Sequence, residues 1–143
     1  MKKLKVYVGC SLTHSTTQYK EFIIALKNEL HKILNVEILE FIGLEGSNSV
    51  GVYKHDIHTC VKECDIFIAE CSNPSTGLGY ELGVSVELWK KPTLAVCNVD
   101  AKITRLVEGI ACEINPNFEY RTYVNLIELV DICTKKIILL QSK

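Results

Sequence analysis

A glycine-rich run near the middle of the chain has residue types and spacing that suit chemistry. It reads PSTGLGYELG from Pro74 to Gly83 and follows an apolar strand. Gly77 and Gly79 let backbone approach a ligand closely, and free amides at a helix start favour negative charge. Paired glycines before a helix are also plain turn chemistry, and the dinucleotide fingerprint does not fit, because its third glycine would fall at Leu82.

Glu81 is the unusual member of this run. We predict a helix that opens near Gly79, which places Glu81 in its first turn, where the helix dipole favours the ionised carboxylate. An ionised carboxylate beside a bound sugar can attack the anomeric carbon as a nucleophile. Taken alone, however, a glutamate at a helix start more often only offsets the dipole.

Two other polar residues could serve the same chemistry. Asp56 lies on the helix before the third strand, between His55 and His58, and could protonate a leaving group. A solvated helix charge is the more common role for such a residue. Tyr7 lies two residues before Gly9 in the first strand, where it could pack in the core or hydrogen-bond a catalytic carboxylate.

The cysteine and histidine content argues against disulfides and zinc. The chain has seven cysteines, an odd number without a CxxC pair, so reduced thiols in a cytoplasmic protein explain them best. Four potential zinc ligands lie close in sequence: His55, His58, Cys60 and Cys64. In an α-helix, about 100° per residue puts the histidines on one side and the cysteines roughly opposite, so we expect no metal site.

Composition narrows the ligand class. A net charge of −1 provides no broad basic surface for a nucleic acid polymer, so a small molecule fits better. No segment approaches the roughly 18 continuous apolar residues of a membrane span. Met1–Lys3 could begin a signal peptide, but the next residues lack a cleavage pattern and read better as a strand.

Strands and helices alternate along the chain. Strands are predicted at 4–9, 36–41, 65–70, 92–97 and near 118–120. Helices are predicted at 15–35, 52–62, 79–88, 103–108 and 124–140, with a polar loop at 43–49. This alternation indicates one α/β domain over residues 1–143, a Rossmann-like (flavodoxin-like) three-layer sandwich with a mostly parallel sheet of about five strands. Ligands of such folds bind beyond the carboxyl ends of the strands, so the site should follow strands one and three.

The candidate residues together resemble the nucleoside 2-deoxyribosyltransferase superfamily, which includes the 2'-deoxynucleoside 5'-monophosphate N-glycosidases. The family motif PSxGxGYExG appears as Pro74 to Gly83. The strand-one motif of tyrosine, two residues, a small residue and serine appears as Tyr7 to Ser11, and the aspartate ahead of strand three as Asp56. The match keeps order and spacing over residues 4–97, and more loosely to 109.

The resemblance implies a role for each residue. Glu81 would attack C1' and form a covalent glycosyl ester, Asp56 would protonate the departing base and later activate water or an acceptor base, and Tyr7 would orient Glu81. The implied ligand is a nucleoside or nucleotide, with no metal or organic cofactor, and the implied assembly is a homodimer. The residues expected to bind substrate are Gly9, Ser11, Ser75, Gly77, Gly79 and, across the dimer interface, Thr104.

Position 75 distinguishes two branches of the family. Transferases commonly carry an acidic residue there for the 5'-hydroxyl, whereas nucleotide hydrolases carry serine, which suits a phosphate that a carboxylate would repel. Ser75 therefore favours a 5'-monophosphate substrate. The usual phosphate-binding arginine after the strand-one serine is replaced by Thr13, followed by His14, so amides, hydroxyls and His14 would have to do more.

The expected function is thus hydrolysis of the N-glycosidic bond of a (deoxy)nucleoside 5'-monophosphate. The chain end, Gln141 to Lys143, shows no motif by which transferases complete a neighbouring site. Two alternatives remain: a nucleoside 2-deoxyribosyltransferase that exchanges bases, and a nucleotide sensor without turnover. A sensor, however, needs no nucleophile.

Overall fold

One parallel sheet organises the molecule. The computed structural model describes residues 2–41, 48–113 and 115–143. Within them, five parallel strands pair in the order β2-β1-β3-β4-β5. The strands are β1 (Leu4–Cys10), β2 (Val36–Leu39), β3 (Ile66–Glu70), β4 (Thr93–Asn98) and β5 (Phe118–Tyr123). The expected three-layer α/β fold with a parallel sheet is confirmed.

The helices cover both faces of this sheet. They are α1 (Thr17–Ile33), α2 (Ser49–Tyr53), α3 (Thr76–Gly83), α4 (Arg105–Cys112) and α5 (Leu126–Gln141). Two π-helices extend α2 and α3 without a break: π1 (Lys54–Val61) and π2 (Val84–Leu88). In the described ranges, no helix combines the length and apolar character needed to cross a membrane.

The alternation of side chains along β1 assigns its residues to two cores. Val6 and Val8 join a core with α1 and α5, whereas Tyr7 joins a core with π1, α3 and α4. Successive side chains of a strand point to opposite faces, so Tyr7 points to the face that α3 covers, opposite to Val6 and Val8. This places Tyr7 and Glu81 in the same layer.

The topological switch point lies between β1 and β3. The chain moves from β1 outward to β2, then returns to pair β3 on the other side of β1. Gly9 pairs with Ala69 and Cys10 with Glu70, so the two strands end level with each other. Their loops diverge from that point and leave a crevice between them, where ligands of this fold class bind.

The start of α3 differs from the sequence-based prediction. The helix begins at Thr76 rather than near Gly79, because the Ser75 side chain caps it by accepting from the Leu78 amide at 3.1 Å. Glu81 therefore lies in the second turn of the helix, and its predicted placement in the first turn is wrong. The unpaired first-turn amides precede it in the chain.

Three further helices also begin at polar caps that the apolar pattern did not locate. Asn48 caps α2, which starts before the predicted 52–62. Thr104 caps α4 and Asn125 caps α5, so these helices start two residues later than predicted. Strand β5 runs three residues beyond the predicted 118–120. Most of the predicted loop at 43–49 lies outside the described residues.

Candidate active site

A cavity of about 670 Å³ opens where the loops after β1 and β3 leave the sheet. Its walls come from residues 10–14, residues 74–78 and the inner side of α2 and π1. Its volume lies in the range of ordinary small-molecule sites. Among the residues singled out in the sequence, it brings together Glu81, Asp56, Ser11, Ser75 and Gly77.

Glu81 is held at the cavity wall by a buried tyrosine. The Tyr7 hydroxyl donates to Glu81 Oε1 at 3.1 Å. The Tyr7 ring is only 1% exposed and stacks on Phe67, with centroids 5.4 Å apart and planes 16° apart. Burial raises the pKa of Tyr7 far above its ordinary value, and the charges of Glu81 and Asp56 raise it further. The phenol therefore keeps its proton and acts as a fixed donor to the carboxylate.

Gly9 gives the Glu81 carboxylate its space. A Cβ at position 9 would lie 2.8 Å from Glu81 Oε2 and 2.7 Å from Phe67 Cε2, closer than real Cβ atoms come. Gly9 was expected to bind substrate; in the structure it is buried beside the Glu81 carboxylate. Its role in the structure is to position Glu81.

Burial opposes ionisation of the Glu81 carboxyl group. The pKa of Glu81 is raised to about 8. Burial is the largest cause; the hydrogen bond from Tyr7 lowers the pKa, and the charge of Asp56 raises it. The sequence-based reasoning assigned support of the ionised form to the helix dipole, but Glu81 lies in the second turn of α3, beyond the first-turn amides, and its partial burial opposes ionisation. A carboxylate that water does not stabilise is a stronger nucleophile once it is ionised.

Asp56 lies on π1 and faces the same cavity. Its charge raises the pKa of both Glu81 and Tyr7, so the two carboxyl groups are electrostatically coupled. Coupled carboxyls favour states in which only one of them is ionised. Such a pair can divide the work between an anionic nucleophile and a proton donor.

One group of side chains could hold a metal ion. Within the described ranges, ligand atoms of His55, Asp56 and Cys60 lie within 4.8 Å of one another. The prediction that the histidines and cysteines lie on opposite sides is wrong for His55 and Cys60. Their segment is a π-helix, whose hydrogen bonds run from i to i+5, as from Ile57 to Lys62, so residues five apart share a side.

Two serines border the cavity near the start of α3. The Ser75 hydroxyl accepts from the Leu78 amide, which leaves its own proton to donate to a ligand. Ser11 is 2% exposed, and its hydroxyl donates to the Pro74 carbonyl at 3.4 Å. Ser11 therefore joins the two loops, and it can donate to a ligand only by leaving this long bond.

The glycines and the charges of the cavity differ from a typical phosphate site. A Cβ at Gly77 would meet only Ser75 Oγ at 4.0 Å, and one at Gly79 would meet nothing within 4 Å, so packing within the chain requires neither glycine. Gly77 lines the cavity, whereas Gly79 does not. Of the described residues that line it, His14 is the one basic side chain.

Thr104 lies away from this cavity. It caps α4 at an exposed position beside a second cavity of about 430 Å³. The second cavity shares Pro74, Ser75 and Leu78 with the first, so the two lie on opposite flanks of the α3 start. Within one chain, Thr104 and Glu81 do not share a cavity.

Sequence reasoning missed Glu70, a buried acid that supports the loop before α3. Glu70 is fully buried at the end of β3 and accepts from the hydroxyls of Tyr19, Ser72 and Tyr123. The Ser72 hydroxyl in turn accepts from the Asn98 amide at 2.8 Å. This network fixes the loop to α1, β4 and β5. A lone acid that ends an apolar strand was the available signal.

Comparison with known proteins supports the motif-based interpretation. No family model matches the chain. Over 89 residues, it is 35% identical to the putative 2'-deoxynucleoside 5'-phosphate N-hydrolase 1 of Syntrophotalea carbinolica. The chain resembles nucleotide N-hydrolases. The match covers 61% of this chain and 56% of the relative, so the chain spans little more than half of that protein's length.

Solved structures confirm the fold. The CMP N-glycosidase BcmB of Clostridium botulinum superposes with a TM-score of 0.68 at 22% identity, over 90% of this chain and 97% of that one. The lysine decarboxylase LdcF of Francisella novicida superposes with a TM-score of 0.58 at 11% identity, over 98% of this chain but 18% of that one. Since the same fold occurs in a decarboxylase, function must be argued from the site.

Gly9→Ala should reduce catalysis strongly while the protein still folds. The new methyl group would displace either the Glu81 carboxylate or the Phe67 ring. Misplacement by about 1 Å can reduce the rate on the order of 100-fold. Gly83→Ala is the matched control, because a Cβ there meets nothing within 4 Å. Equal turnover of the two variants at matched thermal stability would contradict the positioning role.

The raised pKa of Glu81 predicts a pH-dependent stability. Folded Glu81 keeps its proton up to about pH 8, whereas an unfolded glutamate loses it near 4.5, so stability should fall as the pH rises through that window. Glu81→Gln removes this contribution. Its Tm should match the wild type near pH 4.5 and exceed it by a few degrees at pH 9. Parallel Tm curves across this range would show that burial of Glu81 is not unfavourable.

Proposed function

We propose that the protein cleaves the N-glycosidic bond of a (deoxy)nucleoside 5'-monophosphate and releases free base and sugar phosphate. The observation that carries the proposal is the Glu81 carboxylate, fixed by Tyr7 at 3.1 Å and facing Asp56 in one cavity. Resemblance to a nucleotide N-hydrolase supports the choice of bond.

The reaction would proceed in two steps. The two carboxyl groups share one proton, and in the reactive state that proton lies on Asp56 while Glu81 is ionised. Glu81 then attacks C1' as the bond from C1' to the base nitrogen breaks, and Asp56 supplies the proton that the base carries away. A covalent sugar–Glu81 ester results. Asp56 then takes a proton from water, which attacks C1' and restores the Glu81 carboxylate. Tyr7 holds the carboxylate in place throughout, so little reorganisation is needed when charge develops on the sugar.

A 5'-phosphate would be held by hydroxyl and amide donors at the start of α3. Ser75 keeps a hydroxyl proton to donate. The first main-chain hydrogen bond of α3 runs from the Gly79 amide to the Ser75 carbonyl, so the earlier amides of Thr76 and Gly77 are placed to donate to an anion. Against this, His14 is the one basic side chain among the described lining residues. That observation favours the alternative substrate, an unphosphorylated nucleoside, as in the base-exchanging transferases.

We further propose a cytoplasmic homodimer. All seven cysteines lie in described residues as free thiols, which suits a reducing compartment. In a dimer, the exposed Thr104 of one subunit could approach the phosphate end of the other site. Sedimentation velocity tests the dimer, and the effect of Thr104→Val on the KM for phosphorylated substrates tests the contact.

The test is chromatography of free base released from nucleosides and their 5'-monophosphates, with and without a second base as acceptor. We expect base release from monophosphates without an acceptor. Glu81→Gln should lower the rate by roughly 1,000-fold or more, and Asp56→Asn by about 100-fold or more for poor leaving bases.

Ser75→Asp separates the two substrate classes. It should weaken turnover of monophosphates far more than of nucleosides, because a carboxylate repels phosphate. Equal effects on both would remove the phosphate argument. Exchange that requires an acceptor base would instead indicate a transferase, and no release across the panel would favour a nucleotide sensor.

A further inference from the structure

The start of π1 carries a cluster that the proposed reaction uses only in part. His55, Asp56 and Cys60 each offer one ligand atom, and these atoms lie within 4.8 Å of one another. Two of the side chains also meet the Glu40 carbonyl, His55 Nε2 at 2.7 Å and Cys60 Sγ at 3.4 Å. The π-helical turn brings together residues that an α-helix would separate.

The donor set of this cluster matches zinc. Imidazole nitrogen and thiolate sulfur are soft ligands that Zn²⁺ takes readily, whereas Mg²⁺ and Ca²⁺ require oxygen ligands. When His55 Nε2 donates to the Glu40 carbonyl, Nδ1 is left as the coordinating atom. Metal-bound histidines usually show this second contact to a backbone carbonyl, because it fixes the ring and its tautomer.

The charges around the cluster also favour a dication. Asp56 contributes a carboxylate oxygen to the cluster, and an anionic ligand favours a divalent cation. Binding would form a Zn–S bond and release the thiol proton to solvent, and the Cys60 thiolate and Asp56 would together balance the two positive charges.

We propose that His55, Asp56 and Cys60 form an inhibitory Zn²⁺ site, with water as the fourth ligand. The ion can enter through the 670 Å³ cavity, because Asp56 lines it. Once bound to zinc, Asp56 cannot carry a proton to the leaving base. This inhibition rests on the proposed function, whereas metal binding itself does not.

Binding is tested first, without any assay of turnover. Co²⁺ added to the purified full chain should give a 1:1 titration with a near-ultraviolet thiolate-to-cobalt band, which Zn²⁺ then abolishes by displacement. Cys60→Ser should lose this band, and Cys64→Ser should keep it, since Cys64 Sγ instead bonds the Val61 carbonyl. The absence of a band in the wild type, or its loss only in Cys64→Ser, would overturn the site.

Histidine variants provide a second pair in case a cysteine variant fails to fold. His55→Gln should weaken Co²⁺ and Zn²⁺ binding by roughly 100-fold, since even the loss of an outer contact to a ligand weakens binding by about 10–100-fold. His58→Gln is the matched control, because His58 contacts Tyr53 and Trp89 and lies outside the cluster. Equal weakening in both variants would contradict the assignment.

Inhibition is then measured on base release. Zn²⁺ should abolish wild-type activity, and a chelator should restore it. Cys60→Ser should keep its basal rate and need at least roughly 100-fold more Zn²⁺ for half-inhibition. Equal Zn²⁺ sensitivity of wild type and Cys60→Ser would overturn the inhibitory role. If Co²⁺ binds as described but no substrate is turned over, the metal site stands and the proposed function fails.

Discussion

The burial of one carboxyl group is the constraint on which the rest of the site depends. Glu81 is partly buried in the cavity wall, burial raises its pKa to about 8, and the Tyr7 hydrogen bond is the one cause of the shift that lowers the pKa. The hydrogen bond therefore offsets part of an unfavourable burial, and Gly9 exists as glycine because any larger residue would meet the carboxylate. Burial of a carboxyl group opposes stability, and neighbours that nevertheless leave room for it and hydrogen-bond it are typical of a functional site.

The fold supplies what this carboxyl requires. Side chains of β1 alternate between the two faces of the sheet, which places Tyr7 on the α3 side. Stacking of the Tyr7 ring on Phe67 fixes the phenol. The chain reversal between β1 and β3 opens the crevice into which Glu81 and Asp56 face. The buried Glu70 network then fixes the loop that leads into α3. The strand order therefore determines where Glu81 and Asp56 can meet a ligand.

The sequence predicted the sheet well because strong signals marked it. Largely apolar runs such as residues 65–70 are typical of buried strands in a parallel sheet, and their alternation with amphipathic segments indicates an α/β fold. Helix starts were less predictable, since Ser75 acts as a cap that only its contact with the Leu78 amide reveals. The error of one turn changed the expected environment of Glu81 from a dipole-stabilised start to a buried second turn.

The sequence likewise predicted one part of the candidate site and missed another. The motif around Glu81, together with Tyr7 and Asp56, indicated three residues that the structure brings to one place. No pattern in the sequence indicated the π-helix of residues 54–61, because it has no distinct periodicity signal over eight residues. The cluster of His55 with Cys60 was excluded for that reason. The role of Gly9 beneath the carboxylate also required the three-dimensional contact.

The central claim is that Glu81 itself forms a bond to the sugar. The direct measurement is intact-protein and peptide mass spectrometry after reaction with a 2'-fluorinated nucleoside 5'-monophosphate, whose fluorine slows both steps and lets the intermediate accumulate. We predict an added mass of one fluorinated sugar phosphate on the peptide that contains Glu81, absent in Glu81→Gln. Base release without any adduct, or an adduct on Asp56, would contradict this account.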